Sequence, residues 1–152
     1  FIFLYPGFNM RNNEIQAIIG INQLKRLDAN NKLRAKNFQF FLSKLDKNKF
    51  FTDYLIKGNS NYAFPLILKT KSFRNRDRFE KHLTKNRVEF RRGNAGGGNQ
   101  MRQPYLKKVI KVKNFNNFQN VERVHHFGYY IGNFPQLSKK NIIKLVSIIN
   151  NY

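Results

Sequence analysis

The chain has 152 residues, a length sufficient for one domain with a hydrophobic core. It contains no cysteine, which excludes disulfides and thiolate metal sites. We expect a soluble, cytoplasmic protein without a membrane segment, because its sequence has neither a signal-peptide pattern nor an apolar run near the roughly 20 residues that span a bilayer. A formal net charge of +21 favours an anionic partner, and nucleic acid is one candidate.

The first third of the sequence predicts a strand followed by two helices. Residues 1–5 form a continuous apolar and aromatic run, which is typical of a strand buried on both faces. Asn12 or Asn13 can cap a helix in which Ile15, Ile18, Ile19, Leu24 and Leu27 have helical spacing. After a weak break at residues 28–31, a second helix is predicted with the apolar positions Leu33, Phe38, Phe41, Leu42 and Leu45.

The rest of the sequence predicts three strands and two helices. Residues 62–68 indicate an edge strand because Pro65 cannot donate to a ladder, and residues 74–86 indicate a helix capped by Ser72. A short strand at 88–90 precedes a glycine-rich loop, residues 121–126 are ambiguous, and 128–132 resemble a strand. Ser138 then caps a last helix with apolar positions at Ile142, Ile143, Leu145, Val146 and Ile149. This order predicts an α+β fold in which helices cover a small sheet.

The loop within residues 88–106, VEFRRGNAGGGNQMRQPYL, combines glycine with arginine and amide side chains. Three consecutive glycines at 96–98 can adopt positive φ and bring the backbone close to a ligand or a neighbouring segment. Arg91, Arg92 and Arg102 supply forked donors for phosphate or carboxylate, and Asn99 adds a neutral amide. A solvated surface loop and an anion-binding site both remain open.

The chemistry of the other side chains is limited. His82 is predicted on the surface of a helix, and the pair His125 and His126 could bind a metal only with a third ligand, which the sequence does not supply. Neither a nucleophile-elbow serine nor a P-loop pattern is present. The residues by themselves therefore indicate an anion-binding α+β domain without catalytic groups of its own.

Three segments together carry a family resemblance. Residues 6–28, PGFNMRNNEIQAIIGINQLKRLD, are similar to G-Y-N-x-R-x-T-E-x-Q-A-A-I-G-x-x-Q-L-x-x-L-D, and the loop is similar to E-T-R-x-x-x-A-G-N-x-x-R-Q-P. Residues 125–142, HHFGYYIGNFPQLSKKNI, resemble a strand ending in I-G that precedes Pro-x-Leu and a last helix. These patterns, in this order, resemble the C-terminal part of sugar aminotransferases of the DegT/DnrJ/StrS type, which are pyridoxal phosphate-dependent enzymes of fold type I.

The resemblance implies a division of the chain. Residues 1–28 would be the end of a large cofactor-binding domain with a linking helix, and residues 29–152 a small C-terminal α/β domain with a small antiparallel sheet. The Schiff-base position would lie outside this chain, so the chain alone would be inactive. The enzyme would be a homodimer with a shared active site, acting on nucleotide-linked 4-keto-6-deoxy sugars for lipopolysaccharide or O-antigen biosynthesis.

The resemblance also implies roles for single residues. Asn9 and Arg11 match the loop that meets the phosphate of the partner's pyridoxal phosphate, and Arg91, Arg92, Asn99 and Arg102 would hold the nucleotide sugar. The A-G-N and R-Q-P words resemble the branch that contains sugar 3-dehydratases, and transamination and dehydration both remain open. The alternative function is a basic nucleic-acid-binding module without catalysis, which rests on the net charge alone.

Overall fold

A computed structural model describes residues 2–5, 7, 13–110 and 117–152 of the chain. Its helices and strands are, in chain order, α1 (Glu14–Lys44), β1 (Ala63–Ile67), α2 (Phe73–Lys85), β2 (Arg91–Arg92), α3 (Pro104–Val109), α4 (Gln119–Phe127), β3 (Gly128–Gly132) and α5 (Lys139–Asn150). None of the helices within the described ranges is long and apolar enough to cross a membrane.

The sheet has three antiparallel strands in the order β1-β3-β2. Strand β3 is central, with Tyr130 opposite Pro65 on one side and opposite Arg91 on the other. Strand β1 lies at an edge, as Pro65 predicts, because an edge strand can lose a ladder donor at little cost. The predicted α+β fold with a small antiparallel sheet is confirmed.

The core lies where the sheet meets the C-terminal half of α1, α2 and α5. Phe41 of α1 stacks on Phe64 of β1 with ring centroids 4.4 Å apart, and Phe79 of α2 meets Tyr129 of β3 edge-on at 5.3 Å. Aromatic pairs in these geometries add to the stabilisation that comes from buried area. Further residues that are buried here are Phe38, Leu42, Phe50, Leu66, Leu68, Leu83, Ile142, Val146 and Ile149.

Side-chain caps begin three of the helices. The side chains of Asn13, Ser72 and Ser138 accept hydrogen bonds from the backbone N–H groups of Gln16, Asn75 and Asn141. Each cap satisfies a donor that would otherwise lack a partner in the first turn. The predicted starts of α1, α2 and α5 are therefore confirmed.

Helix α1 corrects the prediction of two helices, because it runs unbroken through residues 28–31. This stretch contains aspartate and asparagine but neither glycine nor proline, so its helix propensity is lowered but the helix continues through it. The first half of α1 is exposed, and its apolar residues do not meet the core of this chain. The exposed residues are Ile15, Ile18, Ile19, Leu24 and Leu27.

Two strand predictions also need correction. Residues 2–5 form no strand and are exposed, because none of the three described strands lies beside them. The strand expected at 88–90 lies instead at Arg91–Arg92, because these are the residues that pair with Tyr130 and Tyr129 of β3. Val88 and Phe90 are partly buried and pack against the core. The ambiguous residues 121–126 belong to α4, and Ile143 of α5 is exposed rather than buried.

Candidate functional site

The glycine-rich loop has the backbone conformation that its sequence predicts. The φ angles of Gly96, Gly97 and Gly98 are 77°, 111° and 63°, a region that residues with a Cβ rarely adopt. A Cβ placed on Gly98 would lie 2.2 Å from Nδ1 of His125. The loop therefore needs glycine at position 98 both for its conformation and for its close approach to α4.

Asn99, the residue after the glycines, is fully buried and has hydrogen-bond partners on three sides. Its backbone N–H donates to Nδ1 of His125 at 3.1 Å, and its Nδ2 donates to Oε1 of Glu122 at 2.6 Å. Its Oδ1 accepts from the N–H of Met101 at 3.0 Å and caps a 3-10 turn. Asn99 thus fixes the end of the loop to α4.

Arg102 forms a forked ion pair with the same glutamate. Its Nε donates to Oε1 of Glu122 at 2.7 Å, its Nη2 donates to Oε2 at 2.5 Å, and Nη2 lies 3.3 Å from Nε2 of His126. This fork, aided by the amide of Asn99, lowers the pKa of Glu122 from 4.5 to about 2 despite partial burial. We call Asn99, Arg102, Glu122, His125 and His126 the α4 network.

The protonation of His125 follows from its place in the α4 network. Burial lowers the pKa of His125, and the neighbouring His126 and Arg102 lower it further. Because Nδ1 accepts the N–H of Asn99, the neutral ring carries its proton on Nε2. His125 therefore serves as an acceptor for the loop backbone.

Arg91 and Arg92 lie on β2, and both are exposed. Arg92 pairs with Glu80 of α2, whose other oxygen accepts the hydroxyl of Tyr129 at 2.8 Å. The hydrogen bond to Glu80 raises the pKa of Arg92 above its ordinary value. The structure thus joins Asn99 and Arg102 through Glu122, whereas Arg92 binds a different carboxylate.

Gln103, the residue after Arg102, links the loop to the start of the chain. Its Oε1 accepts the backbone N–H of Phe3 at 2.9 Å, and its Nε2 donates to the carbonyl of Gly97 at 2.8 Å. A pocket of about 210 Å³ lies at this junction, and its lining includes Ile2, Gly97, Arg102, Gln103 and His125. The remaining predicted site residues, Asn9 and Arg11, lie outside the described residues.

Several of these contacts were not predicted from the sequence. Glu122, His125 and His126 stand at i, i+3 and i+4, so they share one helix face as soon as α4 is recognised. His82 is half-buried, with its Nε2 2.8 Å from the carbonyl oxygen of Ile148. In the part of the chain that the structure describes, no cluster of three or more potential ligands could hold a metal ion.

The chain matches the DegT/DnrJ/EryC1/StrS aminotransferase family over residues 2–150, and it belongs to this family. It is 30% identical over 134 residues to the GDP-4-keto-6-deoxy-D-mannose 3-dehydratase of Escherichia coli O55:H7. This alignment covers 88% of this chain and 34% of the relative. It is 34% identical over 65 residues to the UDP-4-amino-4,6-dideoxy-N-acetyl-beta-L-altrosamine transaminase of Campylobacter jejuni serotype O:2, which covers 41% of this chain and 17% of that protein.

A solved structure shows the same similarity. The E. coli GDP-4-keto-6-deoxy-D-mannose-3-dehydratase with bound hydrated PLP superposes with a TM-score of 0.76 at 28% identity, over 98% of this chain and 38% of that one. The chain therefore spans little more than a third of the length of the dehydratases that it matches. The family predicted from the three sequence patterns is confirmed.

Proposed function

We propose that this member of the DegT/DnrJ/EryC1/StrS aminotransferase family is the C-terminal part of a pyridoxal phosphate-dependent enzyme acting on nucleotide-linked 4-keto-6-deoxy sugars. The observation that carries the proposal is the family match over residues 2–150, together with the similarity to a dehydratase solved with hydrated PLP. The enzyme would serve the synthesis of lipopolysaccharide sugars in the cytoplasm. The chain aligns with the E. coli 3-dehydratase over most of its length and with the transaminase over less than half, so we favour 3-dehydration.

The cofactor would supply the electron sink that such chemistry requires. Asn9 and Arg11 would bind its phosphate across the interface of a homodimer with a shared active site, because amide and guanidinium donors suit a phosphate. The residue at the Schiff-base position would belong to the rest of the enzyme. The contribution of this chain would then be binding and positioning.

The loop would form the substrate-facing wall of the site. Arg91 and Arg92 offer exposed guanidinium groups to the diphosphate of a nucleotide sugar. Asn99 and Arg102 would act on the same substrate through the position of the loop. Their hydrogen bonds to Glu122 support this division, because they tie both side chains to α4.

The same proposal accounts for the exposed first half of α1. Residues 1–28 would belong to the large cofactor-binding domain and its linking helix, and residues 29–152 would form the small domain. A helix face with several exposed large apolar side chains is typical of a surface that another part of the protein covers. The exposed isoleucines and leucines before residue 28 support the boundary, while burial begins further along at Phe38.

The test uses the protein that carries this chain together with its upstream residues. We expect it to show cofactor absorbance and to convert GDP-4-keto-6-deoxy-D-mannose. Replacing Arg91 with alanine should raise the KM for the nucleotide sugar by about 10-fold, because a hydrogen bond to a charged group is worth about 1.5 kcal/mol or more, and should leave cofactor affinity unchanged.

The matched control is Arg74→Ala, which removes an exposed arginine of α2 and should leave the KM as it is. An unchanged KM for Arg91→Ala would show that the loop does not face the substrate. Strong, salt-dependent DNA binding without a cofactor band would instead favour the nucleic-acid-binding alternative.

A further inference from the structure

The side-chain amide of Gln103 is buried, with only 4% of the residue exposed. Both of its polar atoms bind backbone groups, since Oε1 accepts from Phe3, 100 residues away along the chain, and Nε2 donates to Gly97, 6 residues away. A buried amide that uses both its donor and its acceptor holds two segments at a fixed separation. Gln103 therefore bridges the start of the chain and the glycine-rich loop.

The backbone of Phe3 meets this region through both of its polar groups. Its N–H donates to Gln103, and its carbonyl accepts the N–H of Tyr105 at 3.3 Å. The side chains around it are exposed, with Ile2 and Tyr5 each about three quarters accessible. Hydrogen bonds to residues 103 and 105 therefore hold the backbone of this segment beside the loop.

Gly97 is the second point of contact between the two segments. A Cβ built on Gly97 would lie 2.9 Å from Cε2 of Phe3, and its φ of 111° already disfavours any other residue. The ring of Phe3 therefore lies directly against the loop backbone. Gln103 and Gly97 therefore form one contact region between the loop and Phe3.

We propose that Gln103 is a positioning residue that couples the segment leading to the cofactor contact to the loop that meets the substrate. The inference rests on the proposed function, in which Asn9 and Arg11 meet the cofactor and the loop meets the nucleotide sugar. Asn9 follows Phe3 by six positions, and a fully extended chain of that length spans about 20 Å. Because the same amide holds Phe3 and Gly97, a change at Gln103 removes a support from both segments at once.

The test is Gln103→Glu in the protein with its upstream residues. The carboxylate can still accept from Phe3, but it places an oxygen instead of a donor against the carbonyl of Gly97, and this removes one end of the bridge. We expect the dissociation constant of the cofactor and the KM for the nucleotide sugar to rise together, each by about 10-fold. Hydrogen exchange of the peptides around residues 3 and 97 should accelerate together, with or without cofactor.

The matched control is Gln136→Glu, the same chemical change on an exposed glutamine outside the glycine-rich loop. We expect changes of less than about 2-fold in both constants, because substitutions of solvated side chains have small effects.

Gly97→Ala tests this contact region from the other side, also if Gln103→Glu fails to fold. It should raise both constants as Gln103→Glu does, and combining the two changes should add little, because they disrupt one contact. A rise in the substrate KM alone, or no change in either constant, would overturn the coupling. Absence of cofactor binding by the unaltered protein would instead refute the proposed function.

Discussion

The ion pair between Arg102 and Glu122 gives a pH-dependent prediction for the variant Glu122→Gln. Glutamine keeps an oxygen that can accept from Asn99 but removes the charge that Arg102 pairs with. The pKa of Glu122 is lowered from 4.5 to about 2, which corresponds to about 3 kcal/mol for a fully shielded carboxylate. Part of this carboxylate faces solvent, so we expect about 1–3 kcal/mol.

The sign of the pH dependence follows from the lowered pKa of Glu122. The stabilisation is fully present above the unfolded value of 4.5 and is lost as the pH falls toward 2, because the carboxylate must then be protonated in both states. Urea denaturation of this chain, followed by circular dichroism, should therefore show the variant less stable at pH 7. The difference should shrink as the pH falls below 4.5.

The control for this experiment is Glu89→Gln. Glu89 is exposed, and none of the ion pairs among the described residues involves it. Its removal should change the free energy of unfolding by less than about 0.5 kcal/mol at any pH. A difference for Glu122→Gln that stays constant from pH 7 down to pH 3, or that is absent at pH 7, would refute the assignment of its pKa to the pair with Arg102.

Two further predictions concern the loop backbone and a buried phenol. Gly98→Ala should destabilise the chain by about 2 kcal/mol or more, since it adds a contact with His125 to the cost of a positive φ, whereas Gly58→Ala, at φ 80° in open space, should cost only about 1 kcal/mol in the same urea denaturation. Burial raises the pKa of Tyr54 from 10.0 to about 12, so the free energy of unfolding should fall as the pH rises from 10 to 12. Tyr54→Phe should reduce this fall, and in an ultraviolet titration it should remove one phenol that ionises near pH 12. An unchanged titration would count against burial of Tyr54.

Local signals predicted most of the fold because they depend on a few neighbouring residues. The capping side chains of Asn13, Ser72 and Ser138 and the apolar spacing of α2 and α5 are sufficient to start and orient these helices. Residues 2–5 show where this reasoning ends. Their apolar character predicts burial, but a strand forms only beside another strand, and the sequence does not say which strands the chain itself supplies.

The candidate site was predictable in its conformation but not in its contacts. Three adjacent glycines predict positive φ angles, and all three glycines adopt them. The partners of Asn99 and Arg102 lie about 20 residues further along on α4, which the sequence pattern left ambiguous. Arginines that look available in the sequence can therefore be engaged by a carboxylate that is distant along the chain.

The scarcity of carboxylates gives this pairing a consequence for the proposed site. The chain has 8 acidic residues against 29 lysines and arginines, and two of these acids, Glu80 and Glu122, bind arginines of the predicted loop. The positive charges of Arg92 and Arg102 are thereby partly compensated by the paired carboxylates, and such paired guanidinium groups attract a diphosphate less strongly. Arg91 is exposed and has no ion pair with any residue that the structure describes. The attraction of this loop for an anionic substrate should therefore depend on Arg91 more than on Arg92 or Arg102.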